Sequence, residues 1–270
     1  MRPVSVADFE IGTEKLTIIA GPCLAESHEI CAEVCGSVQQ ICQELGFNYI
    51  FKASFDKANR TSAGTVRGSG VDEGLKMIDG IKSQFQVPAT TDIHLPEQAQ
   101  VAAQVVDILQ IPAFLCRQSD LLEAAALTGK PVNVKKGQFL APQDTKNIVE
   151  KLNSFHANGI MLTERGTSFG YNTLIVDMPG LEIMRSFGVP VCFDATHSAQ
   201  RPGAAGTSSG GVRESIPAMA RAAVAVGVDA LFLEIHPNPE KALSDSATQW
   251  PLNRARALLE QIKRIRDAVN

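Results

Sequence analysis

Lysine and arginine side chains stand at the ends of several short apolar runs of this chain. The set comprises Lys52, Lys57, Arg60, Lys135, Lys136 and Arg165. Buried charges are costly unless they are paired or functional, and cations that converge on one rim bind small anions, phosphate above all. The set is large enough for two phosphates, or for one phosphate and one carboxylate. The alternative is a group of solvated surface side chains, which fits Lys136 best, since adjacent strand residues point to opposite faces.

Lysines on strands permit a second chemistry. A lysine can form a Schiff base with a carbonyl substrate, so Lys52 or Lys135 could act as a nucleophile instead of an anion ligand. The residue pattern leaves both roles open.

A second group of residues has the chemistry of metal ligands. Cys23, His197 and Glu234 end the first, seventh and eighth of the apolar runs, and Asp245 follows in the next loop. Sulfur, imidazole and carboxylate ligands suit a borderline divalent ion such as Zn²⁺, Fe²⁺ or Mn²⁺. The four residues have no local ligand spacing, so packing of Cys23 and a general-base role for His197 stay open as alternatives.

The elements that must position these residues are eight apolar runs, each followed by a helical pattern. The runs cover residues 16–23, 49–55, 87–94, 106–112, 132–137, 159–166, 189–197 and 230–237. Eight alternating units predict an α/β protein, a (β/α)8 TIM barrel in a single domain over residues 1–270. A doubly wound sheet is the competing fold, but no Gly-x-Gly-x-x-Gly turn follows the first strand. In a closed barrel the seventh, eighth and first strands are neighbours, which lets the metal-ligand candidates meet.

Three segments depart from the regular alternation. Residues 1–15 precede the first strand and are expected to form a short extension, a hairpin that closes the bottom of the barrel. Residues 54–70 and 198–211 are long connections rich in small residues. Both follow a strand, so they lie at the carboxyl-terminal face, where barrel enzymes place their active sites. Long loops of this kind are usually functional.

Composition excludes several classes of protein. The chain of 270 residues is 44% hydrophobic and carries a formal net charge of −4, so it has no basic bias towards nucleic acid or anionic membranes. No apolar run approaches the ~20 residues that span a bilayer, and the amino terminus does not read as a signal peptide. Six cysteines are too few for a disulfide scaffold. Cys31, Cys35 and Cys42 are interpreted as buried helix residues, and the cytoplasm is the expected compartment.

The same residues occur in motifs that resemble a known family. Over nearly its whole length, the chain is similar to the 3-deoxy-D-manno-octulosonate 8-phosphate synthase family. The similarity rests on a series of blocks in one order, which include Gly21-Pro22-Cys23, Phe51-Lys52-Ala53-Ser54-Phe55-Asp56-Lys57-Ala58-Asn59-Arg60, Thr91-Asp92-Ile93-His94, Asn133-Val134-Lys135-Lys136-Gly137-Gln138-Phe139, Glu164-Arg165-Gly166, Phe193-Asp194-Ala195-Thr196-His197-Ser198, Glu234-Ile235-His236-Pro237 and Ala242-Leu243-Ser244-Asp245.

The resemblance implies a reaction and an assembly. The reaction is the condensation of phosphoenolpyruvate with D-arabinose 5-phosphate and water, which gives 3-deoxy-D-manno-octulosonate 8-phosphate and phosphate for lipopolysaccharide sugar synthesis. The assembly is a homotetramer of (β/α)8 barrels. The residues implied to bind substrate are Lys52, Lys57, Lys135 and Arg165 on phosphoenolpyruvate, Ser54 and Gln138 beside them, and Asn59, Arg60 and Thr61 on the aldose. Arg117 is implied to reach the site of a neighbouring subunit.

The resemblance also separates two classes within the family. Cys at the position of Cys23 marks the class that binds a divalent metal, whereas Asn marks the class that needs none. The implied metal ligands are Cys23, His197, Glu234 and Asp245, with Zn²⁺, Fe²⁺ and Mn²⁺ all open as the ion. The candidate catalytic residues are Asp92, His197 and Lys135, with protons moved either by Asp92 or by water on the metal.

Two rival functions stand beside this one. The sibling 3-deoxy-D-arabino-heptulosonate 7-phosphate synthase uses erythrose 4-phosphate, and its aldose motif resembles Lys-Pro-Arg-Thr-Ser. This chain has Lys57-Ala58-Asn59-Arg60-Thr61-Ser62 instead, and the Ala-Asn pair favours the five-carbon sugar. The other rival is a barrel that binds anions without catalysis, but such a protein needs neither a metal set nor two anion sites.

Overall fold

Residues 1–58, 67–203 and 210–269 are described by the computed structural model of the chain. The predicted aldose ligands Asn59, Arg60 and Thr61 lie outside these ranges, as do parts of the two long connections at residues 54–70 and 198–211. Every other predicted site residue lies within them.

The amino-terminal extension is a hairpin, as predicted. Strand β1 (Val4–Val6) pairs antiparallel with β2 (Phe9–Ile11). The hairpin side chains of Val4, Val6 and Ile11 are buried in one apolar cluster with residues of the barrel interior. The extension therefore closes the barrel from below.

Eight parallel strands form the closed barrel that the alternation of strands and helices predicts. The last strand pairs with the first, since Leu231 and Ile18 are register partners. Each strand is shorter than the apolar run that predicts it, because one or both ends of the run belong to the adjoining loops. The strands are β3 (Thr17–Gly21), β4 (Asn48–Lys52), β5 (Ala89–Asp92), β6 (Ile108–Ile111), β7 (Val132–Lys135), β8 (Ile160–Glu164), β11 (Val191–Asp194) and β14 (Ala230–His236).

Smaller strands lie outside the barrel wall. Four of them form two antiparallel pairs. The fifth pairs in parallel with Ile235 and His236 of β14. They are β9 (Thr167–Ser168) with β10 (Leu174–Ile175), β12 (Gln200–Arg201) with β13 (Gly210–Gly211), and β15 (Trp250–Pro251).

Helices surround the barrel, and the first of them is capped at both ends. Ser27 accepts a hydrogen bond from Ile30 N at 3.3 Å at its start, and Gly46 ends it with φ +75°. The helices are α1 (His28–Leu45), α2 (Val71–Phe85), α3 (Pro96–Ala103), α4 (Ser119–Leu127), α5 (Thr145–Ser154), α6 (Met178–Arg185), α7 (Ala195–Ser198), α8 (Ile216–Val226) and α9 (Ala255–Val269). Single 3-10 turns cover Ala113–Leu115, Pro142–Asp144, Arg213–Ser215, Pro239–Lys241 and Leu252–Arg254.

Side chains two apart along each strand fill the barrel interior in layers. The lower layers are apolar and pack against the hairpin through Ile19, Ile50, Ile108, Met161, Cys192, Ala230 and Phe232. Two residues further along the same strands, the period of two brings Lys52, Gln110, Thr163, Asp194 and Glu234 to the interior. The strand geometry thus carries polar groups to the carboxyl ends.

Three of the six cysteines, Cys31, Cys35 and Cys42 of α1, behave as small apolar residues. All six are free and buried, and burial raises the pKa of Cys31 and of Cys35 to about 12. Thiols in this state are unreactive, which agrees with the prediction that they serve packing. Among the helices within the described ranges, none combines the length and the apolar character that crossing a membrane requires.

Candidate active site

The carboxyl ends of the strands carry a layer of buried ion pairs. Lys52, the last residue of β4, places Nζ 3.1 Å from Asp92 Oδ2 and 3.5 Å from Glu234 Oε1. Lys135, the last residue of β7, donates from Nζ to Asp194 Oδ2 at 2.6 Å. All five side chains are buried, so each charge depends on its neighbours for stabilisation.

The ring of Phe232 lies beside two of these lysines. Its centroid is 3.8 Å from Lys135 Nζ and 5.5 Å from Lys52 Nζ. An ammonium group over an aromatic face gains a cation–π attraction of about 2 kcal/mol when it is desolvated. The ring therefore belongs both to the apolar cluster below and to the support of the cationic layer.

Asp92, a predicted proton-transfer residue, is held as a carboxylate. Ser54 Oγ donates to its Oδ2, and Gln110 Nε2 donates to its Oδ1 at 2.6 Å. Burial alone would raise the pKa of Asp92, but the neighbouring lysines, Lys52 first among them, lower it well below its usual range. Asp92 therefore has no proton to give near neutral pH, and only the accepting role is open to it.

Lys57, in the loop after β4, lies against the metal-ligand candidates. Its Nζ is 3.6 Å from Glu234 Oε1. Burial alone would lower the pKa of Lys57, but the acidic groups around it, Cys23 and Glu234 first, raise it above its usual value. The side chain is therefore a permanent cation between the lysine layer and the metal-ligand candidates.

Two further predicted anion ligands have buried polar atoms without partners. Arg165, just beyond β8, donates from Nη2 to Gln200 Oε1 at 2.8 Å. Its Nη1, like Gln138 Oε1, is buried and has no hydrogen-bond partner within the described part of the chain. Buried polar groups are seldom left unpaired, so Arg165 Nη1 is available to an anion and Gln138 Oε1 to a donor.

Lys136 does not join the cationic layer. Its Nζ donates to Thr167 Oγ1 at 2.9 Å and lies 3.5 Å from Glu164 Oε2. The backbone carbonyls of Gly137 and Leu140 are also acceptors, each at 3.2 Å. Lys136 thus ties the segment after β7 to that after β8. It faces away from the barrel interior, as expected, but it is completely buried and is not the solvated surface side chain of the alternative interpretation.

Cys23, Glu234 and Asp245 come together although they are far apart in sequence. One ligand atom of each lies within 4.8 Å of the others. His197 Nε2 is 3.7 Å from Glu234 Oε1 and 3.9 Å from Asp245 Oδ2. The four candidates meet because β11, β14 and β3 are consecutive neighbours in the closed barrel.

His197 does not end a strand, contrary to the sequence prediction. Strand β11 stops at Asp194, and His197 lies in the single-turn helix α7. The strand stops there because Asp194 Oδ1 accepts from the backbone N–H of His197 at 2.9 Å and so caps the helix.

Asp194 also holds the imidazole of His197. Its Oδ2 lies 2.7 Å from His197 Nδ1, which leaves Nε2, the nitrogen nearest Glu234 and Asp245, as the free ligand atom. Burial alone would raise the pKa of Asp194, but His197 and Lys135 lower it well below its usual range. Asp194 is thus a charged support for two of the three predicted catalytic residues, Lys135 and His197.

The donor set fits a divalent ion. One sulfur, one imidazole nitrogen and two carboxylates suit Zn²⁺, Fe²⁺ or Mn²⁺. Within the described ranges, neither buried carboxylate oxygen of Glu234 has a hydrogen-bond partner. Burial, together with the Glu234 charge, raises the pKa of the Cys23 thiol well above its usual value. A metal ion must therefore displace a proton to bind this sulfur.

Several residues of the site are missing from the sequence prediction. One of them is Asp194. The others form a chain of hydrogen bonds that continues from Asp92 through Gln110. Gln110 Oε1 accepts from Asn133 Nδ2 at 3.0 Å, and Asn133 Oδ1 accepts from Thr163 Oγ1 at 2.7 Å. Each is a polar residue within an apolar strand, two positions from another inward-facing residue. That period of two is the signal that could have found them.

Fold and site together define a (β/α)8-barrel enzyme with buried cationic side chains and a cluster of candidate metal ligands at the carboxyl ends of its strands. Comparison with known proteins then identifies its family. The chain belongs to the DAHP synthetase I family, whose sequence profile matches residues 2–270.

Curated relatives are similar over the whole barrel. The chain is 53% identical over 269 residues to the 2-dehydro-3-deoxyphosphooctonate aldolase of Dechloromonas aromatica. The alignment covers 98% of this chain and 97% of that protein. It is 55% identical over 263 residues to a protein of the same name from a Cyanothece species, with 97% and 96% covered. A third, from Xanthomonas campestris pv. campestris, is 53% identical over 267 residues, with 98% and 96% covered.

Proposed function

We propose that this enzyme condenses phosphoenolpyruvate with D-arabinose 5-phosphate and water, yielding 3-deoxy-D-manno-octulosonate 8-phosphate and phosphate. The observation that carries the proposal is the buried layer at the carboxyl ends of the strands, where anion ligands and a metal-ligand cluster share one site. The names of the relatives, which refer to a phosphorylated octonate, support an eight-carbon product.

We assign phosphoenolpyruvate binding to four cations, with Ser54 and Gln138 beside them. Among the described site residues, Lys52, Lys57, Lys135 and Arg165 are matched in number by the carboxylates of Asp92, Asp194, Glu234 and Asp245. The site without substrate is therefore close to neutral. A multiply charged anion needs further positive charge, which a divalent ion supplies when it is bound.

The aldose is assigned to Asn59, Arg60 and Thr61, on the resemblance of the motif that they form. Their neighbour in sequence, Lys57, is buried against Glu234. The aldose motif therefore begins beside the site.

The metal ligands are assigned as Cys23, His197, Glu234 and Asp245. A divalent ion held there would orient or polarise the sugar aldehyde, or position water. Asp194 Oδ2 lies 2.7 Å from Nδ1 of His197, and a carboxylate in this position raises the basicity of the nitrogen on the other side of the ring.

The chain's own residues position the substrates and handle protons. The cations hold two anionic substrates against their mutual repulsion, so that C3 of phosphoenolpyruvate reaches the aldehyde carbon and forms a bond to it. Water adds at C2, and the resulting phosphorylated hemiketal loses phosphate with cleavage of the C–O bond. We assign proton acceptance to Asp92 and stabilisation of the departing phosphate to Lys135 and Arg165.

The four-carbon sugar is the alternative substrate, because the family description names DAHP synthetase. Phosphate release from phosphoenolpyruvate by the Mn²⁺-loaded enzyme would be compared with arabinose 5-phosphate and with erythrose 4-phosphate. We expect the five-carbon sugar to give the higher kcat/KM by at least about tenfold, a difference of about 1.4 kcal/mol. Preference for erythrose 4-phosphate would reassign the substrate, and no release with either sugar would favour a binding protein.

A Schiff-base mechanism is tested separately. The enzyme would be treated with borohydride in the presence of each carbonyl substrate and analysed by mass spectrometry. We expect no covalent adduct, since Lys52 and Lys135 are paired with Asp92 and Asp194. A reduced adduct on either lysine would overturn the mechanism.

We also propose that the enzyme is a cytoplasmic homotetramer. In support, Phe114, Phe139 and Phe169 follow β6, β7 and β8 and are more than half exposed, at 57%, 56% and 67%. Arg117, implied to enter a neighbouring site, lies in the same segment as Phe114. Light scattering should give four chain masses, whereas one chain mass would contradict the assembly. Free, buried cysteines are compatible with a reducing compartment.

A further inference from the structure

One buried amide links two segments that carry metal-ligand candidates. Gln249 is completely buried and directly precedes β15. Its Oε1 accepts from the backbone N–H of Cys23 at 3.2 Å, and its Nε2 donates to the backbone carbonyl of Ser244 at 2.8 Å. A single side chain therefore joins the segment after β3 to the loop after β14.

The loop after β14, which contains Ser244, folds back on itself around Asp245. The Asp245 carbonyl accepts from Thr248 N at 3.0 Å and from Gln249 N at 3.1 Å. Asp245 itself has φ +46°, in the left-handed region that non-glycine residues seldom adopt, and such a conformation persists only where the surroundings enforce it. Beyond Gln249, Trp250 pairs with Ile235 of β14, next to Glu234.

The side chains of the two joined segments are in contact. Cys23 Sγ lies 3.2 Å from Asp245 Oδ2 and 2.8 Å from Ser244 Oγ. Without the Gln249 amide, the Cys23 N–H and the Ser244 carbonyl would each lose a hydrogen-bond partner. A buried group that loses its partner costs about 1–3 kcal/mol, so the two segments would separate to let water in.

We infer that Gln249 is a positioning residue of the metal centre, which sets the separation of Cys23 and Asp245 and thereby slows release of the divalent ion. The inference rests on the proposed metal site and deepens it. Gln249 is not a ligand, because both of its amide atoms are engaged by the backbone. Residues that hold metal ligands in this way typically contribute 10–100-fold to metal affinity.

Release of Co²⁺ to a chelator tests this role without an activity assay. Metal-stripped wild type and Gln249→Met would each be loaded with Co²⁺, whose bond to a thiolate gives an absorption band that reports on Cys23. We expect Co²⁺ to leave Gln249→Met about 10–100-fold faster, with a shifted thiolate band.

Gln39→Met is the matched control for lost stability. Gln39 Nε2 donates to the Phe85 carbonyl at 2.8 Å, so the variant loses an amide-to-carbonyl bond between α1 and the end of α2. Its Co²⁺ release and its band should match those of the wild type. If it releases Co²⁺ as fast as Gln249→Met, the effect is one of general stability and the inference is wrong.

Gln249→Asn provides a second variant if Gln249→Met does not fold. Its shorter amide can reach only one of the two partners, so release at an intermediate rate is expected. Wild-type rates in the Gln249 variants would overturn the positioning role and leave the metal site standing. A wild type without a Co²⁺–thiolate band would instead overturn the metal site on which the inference rests.

Discussion

The two ends of the barrel interior are lined by opposite kinds of side chain on the same strands. At the amino end, Ile50 of β4 and Cys192 of β11 pack with Ile11 of the hairpin in a buried apolar cluster. Two residues further along those strands, Lys52 and Asp194 belong to the layer of buried charges. The strand geometry is the same at both ends, so the difference in side chains reflects a difference in function. Apolar burial stabilises a fold at low cost, whereas buried charges are retained where they are used.

Between the two ends lies a polar belt. Gln110, Asn133 and Thr163 connect by side-chain hydrogen bonds and reach Asp92. Phe232 touches both regions, as part of the apolar cluster and as the ring beside Lys135. Substitutions at the carboxyl end should therefore reduce mainly the activity. Substitutions at the amino end should reduce only the stability.

The largest effect is expected from removing one charge at the carboxyl end. Lys135→Met keeps the length of the side chain and loses the ammonium group, so kcat/KM should fall by about 10³-fold, measured by phosphate release. Lys146→Met is the control, because Lys146 is 63% exposed and pairs only with Glu150 at 3.5 Å within the described residues. The control should stay within about twofold of wild type. A loss below tenfold for Lys135→Met would remove this lysine from the reaction.

The opposite result is expected at the amino end. Ile11→Ala leaves a cavity among the hairpin and the lower barrel layer, so the free energy of unfolding should fall by about 2–5 kcal/mol. In denaturant titrations Ile11→Val should lose only about 0.5–1.5 kcal/mol. Both variants should keep the wild-type kcat/KM below their unfolding transitions. Loss of activity in the folded Ile11→Ala enzyme would show that the two ends are coupled.

Low pH should reduce the contribution of the charged layer to the stability of the barrel. Because the pKa of Asp92 is lowered in the folded chain, its ionised form contributes stability above about pH 4, the usual Asp value, and that contribution is lost as the pH falls further. Asp92→Asn should therefore be less stable than wild type at pH 7, by about 3 kcal/mol. The difference should shrink below pH 4, and an unchanged difference from pH 7 to pH 3 would contradict the ion-pair assignment.

The smallest effect is expected in the polar belt. Thr163→Val removes the hydrogen bond to Asn133 and should cost about 1 kcal/mol of stability. Thr163→Ser keeps the hydroxyl and should retain most of that contribution. Thermal unfolding of the three proteins measures the difference. Equal stabilities for Thr163→Val and wild type would show that the belt is not a connected network.

The sequence was sufficient for the barrel and for most of the charged residues that the structure places at its carboxyl end. Eight apolar runs correspond to the eight barrel strands, and polar residues that interrupt such runs indicate the ends of strands. Asp194 and His197 were misjudged because one run, 189–197, contains both the end of β11 and helix α7. Nothing in the local pattern showed that a side-chain cap would end the strand there.

Apart from the position of Asp245, the contacts made by the loop after β14 could not be predicted. Ser244 and Gln249 reach Cys23 from 221 and 226 residues away in sequence. Their roles depend on the path of the loop after β14, which no periodicity encodes. By contrast, the period of two that separates Lys135 from Lys136 also applies to Gln110, Asn133 and Thr163, and it would have placed them in the barrel interior.

Removal of the metal tests most directly the claim that the carboxyl end is a metal-dependent anion site. Chelated, metal-free protein would be assayed for phosphate release from phosphoenolpyruvate with arabinose 5-phosphate, before and after addition of Mn²⁺, with metal content measured on the same samples. We expect activity to be lost on chelation and restored by Mn²⁺. Full phosphate release by the metal-free protein would contradict the claim and reduce Cys23 to a packing residue.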